Sequence, residues 1–201
     1  MELDKMVIKA TGRQTVAHWI SMIIHPVAFP LVTLGVITEH ASGSLNLALK
    51  LALAALALTS LPVALLVVWQ VTHDKWTDLD VSVRRQRYVL YPIGLFCTIA
   101  MVVAFLWLHA PLLTVGAALS LALANAVDGV INFAYKVSAH ATGAAACAAL
   151  LWFVPGWGVP ATIAALLVGW SRVVLGRHTR GQVLLGWTVG AASAAAALLF
   201  L

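Results

Sequence analysis

Residues 88–107 read YVLYPIGLFCTIAMVVAFLW and contain no charged side chain. An α-helix needs about 20 consecutive apolar residues to cross the hydrocarbon core of a bilayer, so this stretch predicts a membrane-spanning helix. Comparable apolar blocks lie on either side of it. Residues 47–71 contain a single charge, Lys50, and residues 111–127 contain none. Together these blocks predict an integral membrane protein built from several helices.

The composition extends this prediction to the whole chain of 201 residues. Of these, 62% are hydrophobic and 9% are charged, and the mean hydropathy is +0.98. A soluble domain carries about 25% charged residues, because water must solvate its surface. We therefore expect an all-α, polytopic helix bundle of six or seven spans, forming one transmembrane domain over residues 1–201. The candidate spans are 16–38, 46–72, 88–109, 111–132, 139–154, 158–177 and 182–201.

Several residues predict how these spans are shaped. A polar segment, residues 1–15, precedes the first span, and Pro26 and Pro30 inside that span should kink it. The fifth span is rich in Ala and Gly over residues 143–149. Small side chains let helix backbones approach closely, so this helix should lie at the centre of the bundle.

Most of the remaining polar residues fall into three segments, 73–87, 132–140 and 171–182. Two spans separate the first from the second, and two more separate the second from the third. A chain that crosses a membrane twice returns to the face it left, so all three segments should meet at one surface. The residues expected to form a pocket there are Arg84, Arg87, Lys136, Ser138, His140, Arg172 and His178.

This set of residues suits phosphate chemistry. Cations neutralise phosphate oxygens, and arginine binds them with two parallel donors. The N-terminus of a helix that begins near Ser138 adds free backbone N–H groups. One unprotonated histidine can attack phosphorus while another protonates the leaving oxygen. The alternative is that these cations only lie among lipid headgroups and orient the protein.

Two short motifs sharpen this prediction. Ser171-Arg172, followed after five residues by His178, fits S-R-x5-H, and Ser138-Ala139-His140 lies upstream of it. In these motifs the chain resembles the type-2 phosphatidic acid phosphatase superfamily, the lipid phosphate phosphatases. The resemblance covers about residues 75–182. It implies a metal-independent membrane enzyme that needs no cofactor.

The same resemblance implies a role for each matched residue. His178 would be the nucleophile that forms a phosphohistidine, and His140 would protonate the leaving alcohol. Arg172, Ser138 and an arginine of the first motif would hold the phosphate. We assign the first-motif role to Arg87.

The chain also departs from the family pattern. In the first motif Asp80 stands where the family has lysine and Tyr88 where it has proline, so Arg84 is the expected substitute for the lysine. The third motif ends in Gln182 instead of the aspartate that would orient the nucleophile. Gln182 should take the orienting role, but it brings no charge.

Asp128 is the expected source of that charge. It lies inside the fourth span with Asn125 and Asn132, at spacings that put all three on one helical face. A carboxylate inside a membrane costs about 2.5–3.5 kcal/mol on insertion scales, so it is a functional candidate. We therefore include Asp128 among the catalytic residues. The alternative is a polar seam that hydrogen-bonds a neighbouring helix.

The expected substrate is a lipid with a terminal phosphate or diphosphate, such as phosphatidic acid, phosphatidylglycerophosphate or a polyprenyl (di)phosphate, because the cations lie at span ends where headgroups lie. The expected partners are this lipid phosphate and the surrounding membrane lipids. No nucleic acid is expected, and the formation of a homo-oligomer is left open.

We expect the protein to lie in a prokaryotic cell membrane with its site on the cytoplasmic face. The reason is that, among the Lys and Arg residues, Lys50 alone falls on the other side of the membrane.

Two other functions remain open. A magnesium-dependent transferase of prenyl or alcohol phosphates would use the acidic cluster of Asp74, Asp78 and Asp80, although we expect these residues to cap a helix or to pair with nearby arginines. A non-enzymatic lipid transporter would bind the same ligands without releasing phosphate. The remaining histidines of the spans are interpreted as structural; they are His18, His25, His40 and His109.

Overall fold

The computed structural model describes residues 12–199, and every regular element in this range is helical. The polar segment predicted over residues 1–15 lies mostly outside the described residues. The helices are α1 (Gly12–Ile23), α2 (Ala28–Ser42), α3 (Leu45–Ala55), α4 (Leu61–Thr72), α5 (Arg87–Trp107), α6 (Leu112–Ala134), α7 (Ala139–Leu151), α8 (Gly158–Val174) and α9 (Arg180–Leu198). A π-helical turn, Leu56–Ser60, joins α3 to α4, and a 3₁₀ turn, Arg84–Gln86, precedes α5. The all-helical prediction is confirmed.

The predicted count of six or seven membrane crossings is not confirmed. Within the described residues, four helical segments are long and apolar enough to cross: Leu45–Thr72, Arg84–Trp107, Leu112–Ala134 and Arg180–Leu198. The bent pair α1 and α2 makes a fifth if it is one span. Helix α7 has 13 residues, about 20 Å, which is less than the roughly 30 Å of the hydrocarbon core. The helix ends at Leu151 because the chain turns over residues 152–157, although these residues are also largely apolar.

The predicted kink near Pro26 is confirmed. Helices α1 and α2 are bent by 45° at a break that contains His25 and Pro26. Proline lacks the N–H that would continue the hydrogen-bond ladder, so the helix stops there. The break leaves His25 on a non-helical segment, next to the polar connections described below.

Helix α7 lies at the centre of the bundle, as its small residues predict. Most of its side chains are buried, including Ala141, Ala146 and Cys147. Helix α9 packs directly against it. A Cβ added at Gly190 would lie 2.1 Å from the carbonyl oxygen of Thr142, so only glycine permits this approach. This close packing fixes the start of α9 beside the start of α7.

Candidate active site

Hydrogen bonds join the three polar connections, α4–α5, α6–α7 and α8–α9, at one end of the bundle. Arg87 Nη1 donates to the carbonyl oxygen of Val137 (2.9 Å), which ties the first connection to the second. The Ser138 N–H donates to the carbonyl oxygen of Gln182 (3.3 Å), which ties the second to the third. Residues that are far apart in the sequence therefore share one polar region.

Two further contacts close this region. Lys136 Nζ donates to the carbonyl oxygen of Arg177 (3.0 Å), and Arg177 Nη1 donates to Ser82 Oγ (3.3 Å). The third connection is thus bound to both of the others. We call the region formed by the three connections the polar face.

Arg172 lies at the centre of the polar face. It is the last basic residue of α8, and only 2% of it is exposed. Its Nη1 donates to Ser21 Oγ on α1 (3.0 Å), and its Nη2 lies 3.0 Å from Asp80 Oδ2. Its Nε is buried and has no hydrogen-bond partner among the described residues. A buried guanidinium with an unused N–H can donate a further hydrogen bond to an anionic oxygen.

Asp80 connects several of the site's functional groups. Besides Arg172, its Oδ2 lies 3.4 Å from Arg177 Nε, and its Oδ1 lies 3.9 Å from His140 Nε2. Arginines on two sides and an imidazole on a third therefore surround one carboxylate. Asp80 does pair with arginines, but its partners Arg172 and Arg177 are distant in the sequence and are not the arginines next to the acidic cluster.

The backbone next to Asp80 is strained. Val81 has φ 47°, a conformation that is a clear outlier for a β-branched residue. Its buried side chain packs with Val67 and Trp76, and its carbonyl oxygen accepts a hydrogen bond from Arg87 Nε (2.7 Å). Such strain persists only where the surroundings enforce it. The strained turn thereby holds Asp80 against the two arginines.

His178 is held in one tautomer by Gln182. Its Nδ1 lies 3.0 Å from Gln182 Oε1, and that same oxygen accepts the backbone N–H of Thr179 (3.3 Å). Because a backbone N–H can only donate, the amide oxygen must face this side, and Nδ1 must donate to it. The proton is therefore on Nδ1 and the lone pair on Nε2. An unprotonated Nε2 is what a nucleophile requires.

The surroundings also keep this ring uncharged. His178 is 5% exposed and lies in the connection between α8 and α9. Burial, followed by the positive charges of Arg87 and Lys136, lowers the pKa of His178 from 6.5 to about 3. The imidazole is therefore neutral across the physiological pH range.

His140 has different surroundings. It is in the first turn of α7, its side chain is 15% exposed, and its ring centroid lies 6.5 Å from that of His25. The Val27 N–H donates to His25 Nδ1 (3.2 Å), so the His25 ring carries its proton on Nε2. Arg172 and Arg87 act electrostatically on His140 as they do on His178.

A cavity of about 460 Å³ opens beside His140. His25, Asp80 and Arg87 line it together with apolar residues of α4 and α5, such as Val67 and Leu90. A cavity lined by both charged and apolar side chains suits an amphiphile.

Three of the predicted phosphate ligands are engaged with the protein itself. Arg84 Nη1 donates to the carbonyl oxygens of Asn132 (3.2 Å) and Phe133 (2.7 Å), so it caps the end of α6. Arg87 bridges the carbonyl oxygens of Val81 and Val137. Lys136 Nζ binds the Arg177 carbonyl oxygen, as described above. The charges of Arg87 and Lys136 still act on His178, but their hydrogen bonds hold the connections together.

Ser138 is also used structurally. It is fully buried, and its Oγ accepts the Ala141 N–H (3.5 Å) as the N-cap of α7. This cap places His140 two residues later, at the start of the helix.

Asp128 lies apart from His178. It is buried on α6, and its Oδ1 accepts a hydrogen bond from Thr142 Oγ1 on α7 (3.1 Å). The orienting contact to His178 comes from Gln182 instead. The position of Asp128 matches the alternative of a polar seam between helices.

Sequence reasoning did not assign four residues to this site: Ser21, His25, Asp80 and Arg177. A histidine next to Pro26 in an apolar span was the available signal for His25, because a helix break there frees the segment to approach other polar groups. The proximity of Asp80 and Arg177 had no sequence signal beyond their opposite charges. Ser21 had none.

Within residues 12–199, no three His, Cys, Asp or Glu side chains are grouped to hold a metal ion. Asp80 is turned towards the arginines, whereas Asp78 accepts a hydrogen bond from Ser82 Oγ (3.0 Å).

No known protein-family model matches the chain, and no curated protein or solved structure is significantly similar to it. The likeness to lipid phosphatases therefore depends on the short motifs and on the geometry of their residues.

Proposed function

We propose that this chain is a membrane-embedded, metal-independent lipid phosphatase that works through a phosphohistidine at His178. One observation carries the proposal. His178, in the α8–α9 connection, and His140, in the first turn of α7, share the electrostatic field of Arg172 and Arg87, and His178 has its Nε2 lone pair free. A neutral nucleophile and a second imidazole around a buried arginine are the groups that phosphoryl transfer requires.

In the first step the terminal phosphate binds to Arg172 and Arg177. The Nε2 lone pair of His178 attacks phosphorus, and the bond from phosphorus to the lipid oxygen breaks. The leaving oxygen keeps the electron pair of that bond and takes a proton from His140. The negative charge of the bound phosphate favours the protonated form of His140 that this step needs. The products are a phosphohistidine and the lipid alcohol.

In the second step water hydrolyses the phosphohistidine. His140, now neutral, accepts a proton from the water as its oxygen attacks phosphorus. The phosphorus–nitrogen bond breaks, and its electron pair returns to Nε2 of His178. The net reaction consumes water and the phosphate ester and yields the alcohol and inorganic phosphate. Gln182 keeps the proton on Nδ1 throughout.

The proposed substrate is a glycerolipid or polyprenyl lipid with a terminal phosphate or diphosphate. Arg172 lies in the last turn of α8, and Arg177 follows in the next connection. The ends of membrane helices lie near the lipid headgroups. The cavity beside His140 has both charged and apolar lining residues, which fits a headgroup attached to a chain. A soluble sugar phosphate would leave the apolar lining uncovered.

A screen of phosphate release tests this function most broadly. The purified protein in detergent is given phosphatidic acid, phosphatidylglycerophosphate, a polyprenyl diphosphate and glucose 6-phosphate, each with and without EDTA. We expect release from at least one lipid, unaffected by EDTA. His40→Ala, a change at an exposed histidine at the other end of α2, is the matched control for His178→Ala.

Other outcomes point to the alternatives. Release that EDTA abolishes would favour the magnesium-dependent transferase. Lipid binding without any release would favour a transporter. Preference for glucose 6-phosphate over every lipid would contradict a lipid substrate.

We further propose that the polar face lies on the cytoplasmic side of a prokaryotic cell membrane. Helix α2 begins at Ala28, three residues after His25 beside the polar face, and ends at Ser42, which is exposed. The native thiols, Cys97 and Cys147, are both buried, so Ser42→Cys provides a single accessible label. An impermeant maleimide should label it in intact cells. Protection until the cells are permeabilised would reverse the orientation.

A further inference from the structure

Asp80 lies where an anionic ligand of the arginines would lie. Its Oδ2 is within 3.0 Å of Arg172 Nη2 and 3.4 Å of Arg177 Nε, and its Oδ1 is 3.9 Å from His140 Nε2. These are the three groups that the proposed function assigns to the substrate's phosphate and leaving oxygen. A carboxylate presents two anionic oxygens in a geometry that a phosphate can replace.

The surrounding charges show that this site is not neutralised by Asp80 alone. Arg172, Arg177, Arg87 and Lys136 all lie on the polar face. Asp80 pairs with Arg172 and Arg177, and Asp78 acts electrostatically on Lys136, so these four cations outnumber the two carboxylates. Arg172 also has a buried Nε with no partner among the described residues. The site therefore has the capacity for a ligand with more negative charge than Asp80 carries.

We propose that Asp80 is a tethered competitor that excludes phosphodiester headgroups from the phosphate site. The bulk anionic phospholipids of a membrane carry a phosphodiester with one negative charge, and they surround a site at this depth. A terminal phosphate carries about 1.5 to 2 negative charges near neutral pH. It matches the excess of cations better, so it displaces Asp80 where a phosphodiester does not.

A competitor of this kind lowers the affinity of every anion for the arginines by the same factor. It creates selectivity because a phosphodiester, which binds weakly, then no longer occupies the site, whereas a terminal phosphate, which binds more strongly, still does. The same competition helps expel the inorganic phosphate product. This inference rests on the proposed function for its biological meaning, but anion binding tests it without turnover.

The strained turn at Val81 is the device that maintains the competitor. Because the buried Val81 side chain and the Arg87 hydrogen bond enforce φ 47°, the Asp80 carboxylate is presented to the arginines. Loosening this turn should weaken the competition while leaving the carboxylate in place.

The test measures inorganic phosphate binding by isothermal titration to the full chain in detergent. Asp80→Asn keeps the shape and removes the charge. We expect its dissociation constant for phosphate to fall about tenfold, the size expected for a lost charged hydrogen bond. Asp74→Asn is the matched control, because Asp74 is exposed on the same connection at φ 56°, where asparagine is well tolerated. It should bind phosphate as the unmodified chain does.

A second probe is dioctanoyl-phosphatidylglycerol, a phosphodiester. It should bind to Asp80→Asn at concentrations where the unmodified chain is empty. If Asp80→Asn does not fold, Val81→Gly tests the same device, since glycine adopts φ 47° without strain. It should lower the phosphate dissociation constant by a smaller factor, about threefold.

Unchanged or weaker phosphate binding by these variants would overturn the inference, as would no phosphate binding by any form of the chain. The two proposals fail separately. If Asp80→Asn binds phosphate more tightly but the unmodified chain releases no phosphate from lipids, the competitor role of Asp80 is supported and the phosphatase function is contradicted. If the chain releases phosphate from lipids but Asp80→Asn does not bind phosphate more tightly, the phosphatase function is supported and the competitor role is contradicted.

Discussion

His178 and His140 lie on the same polar face, yet their surroundings differ. His178 is 5% exposed, and its Nδ1 is fixed by an amide oxygen. His140 is 15% exposed, borders the cavity, and has a carboxylate 3.9 Å from its Nε2. The first environment holds a neutral ring with one lone pair free. The second puts the ring beside the cavity and next to a carboxylate. Similar side chains can acquire different chemical roles from their partners, and the proposed mechanism places attack at His178 and proton transfer at His140.

Replacing the nucleophile should have the largest effect. His178→Ala removes the only atom that the account assigns to attack, so phosphate release should fall by about four orders of magnitude or more. Release from the preferred lipid, measured beside His40→Ala, checks this. Normal turnover in His178→Ala would end the distinction between the two histidines.

Replacing His140 should have a large effect that depends on the leaving group. His140→Ala removes the proton donor, so release from a lipid alcohol should fall by about 10² to 10⁴-fold. A nitrophenyl phosphate leaves without protonation, so its first step should be nearly unaffected and a burst of nitrophenol should persist. The comparison between the two histidines breaks if His140→Ala affects both substrates equally.

Changes at Gln182 sharpen the role of the fixed tautomer. Gln182→Ala removes the hydrogen bond to Nδ1 and should lower turnover about tenfold. Gln182→Glu keeps an acceptor and adds a negative charge, which raises the pKa of His178 above its value of about 3. The acidic limb of its pH–rate profile should therefore move to higher pH than that of the unmodified chain on the same substrate. An unchanged profile would mean that Gln182 does not face the reactive ring.

The depressed pKa of His178 also predicts how stability depends on pH. The unfolded chain takes up a proton on this residue below its ordinary value of 6.5, whereas the folded chain resists until about pH 3. Proton uptake by the unfolded state lowers the free energy of unfolding, so stability should decline between these values as pH falls. Thermal unfolding in detergent from pH 7 to pH 4 measures this decline. His178→Gln removes the contribution of this group, so its stability should decline less steeply than that of the unmodified chain, and an equal decline in both proteins would refute the assignment.

Asp128→Asn should have the smallest effect on turnover. The carboxylate accepts one hydrogen bond from Thr142, and asparagine retains an oxygen that accepts it. We expect turnover to change less than about threefold, with a stability loss of about 1 kcal/mol. A large loss of turnover in a folded Asp128→Asn protein would restore the catalytic role that the sequence predicts for it.

The parts of the fold that hydropathy determines were predictable. The helices over residues 45–72 and 87–107 follow from uninterrupted apolar residues, and the central place of α7 follows from its small side chains. The number of crossings was not predictable to the same degree. Apolar composition alone does not reveal that α7 stops after 13 residues.

The site was predictable at the level of its segments and less so at the level of contacts. Counting spans brings the three connections to one face, and the spacing of the third motif puts Gln182 one helical turn after His178. The pairing of Asp80 with Arg172 depends on the positive φ of Val81, which no local preference of valine favours. The hydrogen-bond partners of Arg84 and Arg87 are backbone carbonyl oxygens that tertiary packing brings beside them, so the sequence alone does not identify these partners.

Trapping the covalent intermediate tests the central claim most directly. The purified chain is mixed with its lipid substrate carrying ³²P in the terminal phosphate, quenched in base, digested and analysed by mass spectrometry. We expect a phosphate on His178 that is stable in base and lost in acid, present in His140→Ala and absent in His178→Ala. A phosphate on another residue, or full turnover with no trapped phosphate on the protein, would contradict it.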